Sequence, residues 1–179
     1  MPPMPAAGID PIEFREVCGR FATGVCVITS FGPHGPSGLT ANAVSSLSLQ
    51  PPLMIVCFDR DARTLAAVEH SRAFAVHFLA HDQEEIAARF ASKDPEEQKF
   101  ESFRWSSRSG VPVLDGCLGT LACRLTELLP GGDHLIGVGE VVELWASTGE
   151  PLVFFRGDYW TLGAREPAPP AVDEALEGP

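Results

Sequence analysis

From Val25 to Phe58 short apolar runs alternate with turn residues, and this rhythm dictates antiparallel strands joined by tight connections. Val25 to Phe31, Leu39 to Leu49 and Leu53 to Phe58 carry strand-like patterning. The stretch from Gly32 to Gly38, rich in Gly and Pro, reads as the first hairpin loop, and Pro51-Pro52 ends one strand and aims the next. Ala73 to Leu79, Cys117 to Leu129, His134 to Trp145, Leu152 to Arg156 and Tyr159 to Leu162 continue the pattern, with Pro130-Gly131-Gly132-Asp133 and Gly157-Asp158 as turns. So many antiparallel strands have exposed edges to hide. The expected fold is mainly β with peripheral helices, a closed or partly closed antiparallel barrel.

Helical signals are fewer. Asp10-Pro11-Ile12-Glu13 has the chemistry of a helix start, and Phe14, Val17, Cys18 and Phe21 then form an apolar stripe expected to pack on the domain. Arg63 to Glu69 reads as a short helix, and Gln83 to Ala91 as a stronger one with Ile86, Ala87 and Phe90 on one face. Lys93 to Gly110 is polar with scattered aromatics and is expected to be mixed helix and loop over a pocket or a subunit contact. The domain spans 10–162, between a flexible N-terminus at 1–9 and a disordered Pro/Ala/Glu-rich tail at 163–179.

With 179 residues the chain suffices for one domain, and its net charge of -11 disfavours a general nucleic-acid surface. A phosphate-bearing small molecule remains acceptable, since one or two arginines suffice for it. The five cysteines are odd in number and lie mostly within apolar runs, reading as buried thiols of a reducing compartment. No segment approaches the ~20 apolar residues of a membrane span, and no signal peptide is recognisable, so the expected address is the cytoplasm.

Familiar nucleotide motifs are missing. Gly137-Val138-Gly139 starts like a dinucleotide fingerprint but lies in a strand pattern without the third glycine. His77 and His81 straddle a strand end and make no metal site, so none is expected. Small hydroxyl and amide side chains between Gly38 and Ser48 would let the backbone approach a flat polar ligand closely. Arg60, Arg63 and Thr64 follow a strand and open a helix, an arrangement that can hold a phosphate or simply face solvent. His134, at a strand start, fits either a structural hydrogen bond or a substrate contact.

Taken in order, Gly38 to Pro52, Thr64, Phe74 to Leu79, Gln83 to Phe90, Gly132-Asp133-His134 and Pro151 to Tyr159 resemble the short-chain flavin reductase family, the reductase components of two-component flavin-dependent monooxygenases. The resemblance covers roughly residues 12 to 162. It implies a split-barrel homodimer that takes FAD or FMN, and NADH more readily than NADPH because no arginine cluster awaits a 2′-phosphate. Carried across, Thr40, Ala41, Asn42, Ser45 and Ser46 line the isoalloxazine and ribityl chain, and Arg60, Arg63 and Thr64 lie near the phosphate. His134 and Tyr159 face the nicotinamide. His77 stands where the family commonly has Asn, in the position of a flavin contact. The implied activity is NAD(P)H:flavin oxidoreduction by hydride transfer between stacked rings, with no catalytic side chain, serving a separate monooxygenase through diffusible reduced flavin. The rival reading is a non-catalytic flavin-binding or electron-carrier barrel. A pyridoxal-phosphate-forming oxidase is weaker for want of basic residues.

Overall fold

Asp10 caps the first helix, its carboxylate accepting the Ile12 amide over 2.8 Å, and Pro11 supplies the first helical residue of α1 (Pro11–Cys18). This computed structural model describes residues 8–163; the expected flexible N-terminus and acidic tail fall almost wholly outside them. The stripe on α1 does not pack as expected. None of its residues is buried, and Phe14, Val17 and the following Phe21 are 60%, 67% and 77% exposed. The periodicity shows an apolar face, but nothing among the described residues covers it.

After β1 (Thr23–Gly24) come β2 (Cys26–Gly32) and β3 (Gly35–Ala41), then β4 (Val44–Leu49), β5 (Pro52–Asp59), α2 (Arg63–Ser71), β6 (Ala73–Phe78) and α3 (Glu84–Ala91). The second half holds α4 (Glu96–Glu101), β7 (Trp105–Arg108), β8 (Val111–Leu114), β9 (Gly119–Gly131), β10 (His134–Ala146), β11 (Leu152–Phe155) and β12 (Asp158–Thr161). Two expectations change here. The first hairpin turns on Pro33-His34 alone, because Gly35 at φ +131 reverses the chain within two residues. The run from Leu39 to Leu49 is not one strand: it breaks at Asn42-Ala43, and its halves pair with different neighbours, β3 with β2 and β4 with β5.

Seven strands form one antiparallel sheet in the order β3-β2-β6-β9-β10-β5-β4. Its two edge strands are consecutive in the chain, so the sheet curls until its ends meet at Asn42-Ala43, where no ladder closes it. This is the split barrel. A three-stranded sheet, β1-β11-β12, and the β7-β8 hairpin lie outside the row.

β2 is buried on both faces, and its alternation divides the core. Cys26 and Ile28 point into a cluster with Met54, Val56, Phe58, Phe74, Val76 and, from α2, Leu65 and Val68. Val27 joins Val25, Leu79, Ile86, Ala87, Phe90 and Phe100 under α3 and α4. Each large side chain so buried contributes roughly 1.5–3 kcal/mol. The glycines of Gly137-Val138-Gly139 serve this packing: a Cβ at Gly137 would lie 2.8 Å from the Phe58 ring, and one at Gly139 would lie 2.4 Å from the Phe74 ring. Phe58 and Phe74 meet edge to face, centroids 6.1 Å apart. No helix among the described residues is long and apolar enough to cross a membrane.

Candidate functional site

Where the barrel ends meet, Asn42 and Ala43 have left the β2 ladder and not yet joined that of β5. Three cavities open along this junction, and they share residues. Thr40 lines the first two, and Asn42 the second and third.

The first cavity, about 750 Å³, lies between β3, the start of α2 and the segment linking α3 to α4. Its wall includes Thr40, Arg63, Thr64, Lys93, Glu96 and Lys99, with Asp59 and Asp61 at the β5 end. Ala62 caps α2 without a side-chain acceptor, leaving first-turn amides free for an anion. Thr64 is buried, its hydroxyl 3.1 Å from that of Ser37. Glu96 ties the wall together. One carboxylate oxygen accepts the Gly38 amide over 2.9 Å; the other pairs with Arg63 Nε at 3.1 Å and Lys99 Nζ at 3.6 Å. Lys99, its side chain only 4% exposed, donates to the Gly38 carbonyl over 3.2 Å. Burial lowers its ammonium pKa, against the pull of Glu96.

The second cavity, about 240 Å³, is bounded by Val25, Thr40, Ala41, Asn42, Phe154 and Tyr159, with Ala91 completing it. The Thr40 hydroxyl donates to the Ala87 carbonyl over 2.6 Å, holding β3 against α3. Phe154 and Tyr159 meet edge to face at 5.7 Å, and burial, then the Glu84 charge, raises the Tyr159 pKa.

The third cavity, about 610 Å³, has an apolar floor of Cys26, Met54, Phe78 and Leu121 and a polar rim of Asn42, Ser45 and Ser46. Phe21, past the end of α1, forms part of its margin. The Ser45 hydroxyl donates to the neighbouring Ser46 carbonyl over 3.1 Å. Apolar floor and polar rim suit a flat ring system with heteroatoms along one edge, and the volume lies in the usual ligand range of ~300–1,000 Å³.

Thr40, Ala41, Asn42, Ser45, Ser46, Arg63, Thr64 and Tyr159 thus all line these neighbouring cavities. Three expected residues do not. His77 is fully buried within the sheet, its Nδ1 donating to the Val27 carbonyl and its Nε2 accepting the Leu114 amide, each over 3.0 Å. With both nitrogens engaged it has nothing left for a ligand. Arg60 turns to the β9–β10 turn, its Nε donating to the Gly132 carbonyl over 3.0 Å. His134 lies on that same exposed turn, Nδ1 2.8 Å from the Asp133 carboxylate, and lines none of the three cavities. The imidazole holds the Asp133 carboxyl below its ordinary range. Glu96, Lys99 and Lys93 were not singled out in the sequence; the Glu-x-x-Lys spacing after Pro95 was the available signal, inside a segment read only as mixed structure. No group of three or more potential metal ligands occurs among the described residues.

Comparison with known proteins shows the family of the chain. The model of the family described as "Flavin reductase like domain" matches residues 18–163. The chain is 38% identical over 174 residues to the reductase subunit HsaB of a flavin-dependent monooxygenase from Rhodococcus jostii, covering 96% of this chain and 88% of the relative. It is also 38% identical over 178 residues to a flavin reductase (NADH) of Kitasatospora aureofaciens, covering 95% and 92%. Among solved structures, the NADH:FAD oxidoreductase SgcE6 of Streptomyces globisporus, in complex with NAD and FAD fragments, superposes with a TM-score of 0.79 at 34% identity, covering 93% of this chain and 99% of that one.

Proposed function

The chain belongs to the flavin reductase-like domain family, and from that premise we propose that it reduces FAD or FMN with NADH and releases the reduced flavin to a separate monooxygenase. The adjacency of the three cavities, which share Thr40 and Asn42 as wall residues, carries this reading. Their succession matches a flavin's own: a flat ring over the apolar floor, a polyol chain along β3, and phosphate at the start of α2.

A flavin held here would supply the hydride-accepting ring, and the nicotinamide nucleotide the hydride. The chain's part is placement. Asn42, Ser45 and Ser46 offer hydrogen bonds to the polar edge of the ring, while Cys26, Met54, Phe78 and Leu121 exclude water beneath it. Thr40 keeps β3 seated on α3. Arg63, Thr64 and the α2 amides hold the phosphate, and Glu96 fixes the Arg63 guanidinium. Tyr159, with Phe154, walls the middle cavity beside the polyol chain. No acid or base side chain is required, because hydride transfer between rings held at near-attack distance needs orientation above all.

The exposed face of α1, with Phe21 at the margin of the ring cavity, supports a homodimer in which a second copy covers that margin. The enzymatic test follows nicotinamide absorbance with catalytic protein and excess free FAD or FMN. Many turnovers per protein are expected. A single stoichiometric reduction would instead identify a carrier that keeps its flavin.

A further inference from the structure

We propose that a fourth cavity, beyond Arg63, receives the adenosine half of FAD and makes this chain select FAD over FMN. This deepens the flavin-reductase reading and rests on it. The cavity, about 420 Å³, is walled by Pro33 and Pro36 of the first hairpin, Ala66 and Ala67 of α2, and Pro95 before α4. Arg63 and Glu96 line both this cavity and the 750 Å³ one. Arg63, Ala66 and Ala67 stand at i, i+3 and i+4, so one face of α2 presents a guanidinium and then a methyl shelf.

Proline rings and alanine methyls make flat apolar walls, the surface a planar base seeks. Pro33, Ala66 and Pro95 leave that surface open to solvent, and His34 and Glu97 give it a polar margin suited to ribose. FMN ends at one phosphate and extends no further than the first cavity. FAD continues through a second phosphate, and Arg63, shared by the two cavities, lies where a pyrophosphate would cross between them. NADH also carries adenosine, but its nicotinamide must stack at the ring end of the site, whereas this cavity adjoins the phosphate end.

The test measures FAD and FMN dissociation constants by fluorescence quenching for the full chain, for Ala66→Trp, which obstructs the cavity, and for Ala66→Glu, which repels the pyrophosphate. Wild-type protein is expected to bind FAD at least about tenfold tighter than FMN, with the ratio falling toward one in both variants and AMP competing with FAD. Position 66 is exposed, and circular dichroism checks each variant's fold. Equal wild-type affinities, or a ratio untouched by both substitutions, overturn the adenosine site while leaving the reductase reading intact. An unchanged ratio with a raised KM for NADH overturns it too, assigning the cavity to the nicotinamide nucleotide. Failure of either flavin to bind removes the reductase reading and this inference together.

Discussion

His77 holds Leu114 across the sheet: its Nε2 accepts the Leu114 amide over 3.0 Å while Nδ1 donates to Val27, fixing the neutral tautomer between β6 and β8. Burial lowers the His77 pKa from 6.5 to about 4. Above pH 6.5 the ring is neutral in both folded and unfolded chains, and its contribution is fully present. Between about 6.5 and 4 the unfolded chain takes up a proton that the folded chain refuses, so stability is lost as pH falls, by roughly 3 kcal/mol in all. Urea midpoints from pH 7.5 to 4.5 should therefore fall more steeply for the wild type than for His77→Gln. Parallel curves would show that the imidazole does not titrate on unfolding.

The same residue shows what the sequence conveyed and what it withheld. Alternation of apolar side chains marked most strands of the seven-stranded sheet and also β11 and β12, because a half-buried sheet imposes a period of two on its residues; it missed β1, β7 and β8, with β7 falling in a stretch expected to be helix and loop. It could not show that His77 sits on a face covered by β8, since that cover comes from a segment 37 residues away. Asn42-Ala43 lay hidden inside an apparently continuous run, because the break arises from closure of the barrel and not from any local breaker. Arg60 and Arg63 looked equivalent after β5. Which of them enters the cavity depends on the first turn of α2, and three residues of rotation send one to the β9–β10 turn and the other to Glu96.

Glu96 and Lys99 form a pair with unequal consequences. Glu96→Gln leaves the Lys99 ammonium buried without its counter-charge and should cost on the order of 3 kcal/mol at pH 7. Lys99→Met should cost less, because the Glu96 carboxylate keeps Arg63 and the Gly38 amide. Raising pH toward 10 should narrow the deficit of Glu96→Gln, since deprotonation relieves the stranded charge. Urea denaturation of both variants at pH 7 and pH 9.5 checks the order; a Lys99→Met loss larger than that of Glu96→Gln would contradict it.

The uncovered stripe on α1 makes assembly measurable. If a second copy covers Phe14 and Val17, each loses roughly 1.5–3 kcal/mol of burial when replaced by a charged residue. Phe14→Lys with Val17→Asp should then weaken association at least about a hundredfold. Sedimentation at micromolar concentration is expected to show a dimer for the wild type and a monomer for the variant. An unchanged dimer would place the interface elsewhere.

Ser46 tests the ring cavity most directly, because its side chain stands on the rim and its loss removes no packing. Ser46→Trp should project an indole into the 610 Å³ space and raise flavin dissociation constants at least about tenfold, with stability changed by no more than about 0.5 kcal/mol. Thr40→Val probes a different function. It removes the 2.6 Å hydrogen bond to Ala87 and should cost about 1 kcal/mol of stability through the β3–α3 contact. Titration calorimetry with FAD and FMN, paired with thermal melts, separates the two effects. Unaltered flavin affinity in a well-folded Ser46→Trp protein would move the ring out of this cavity, and with it the roles given to Asn42 and Ser45.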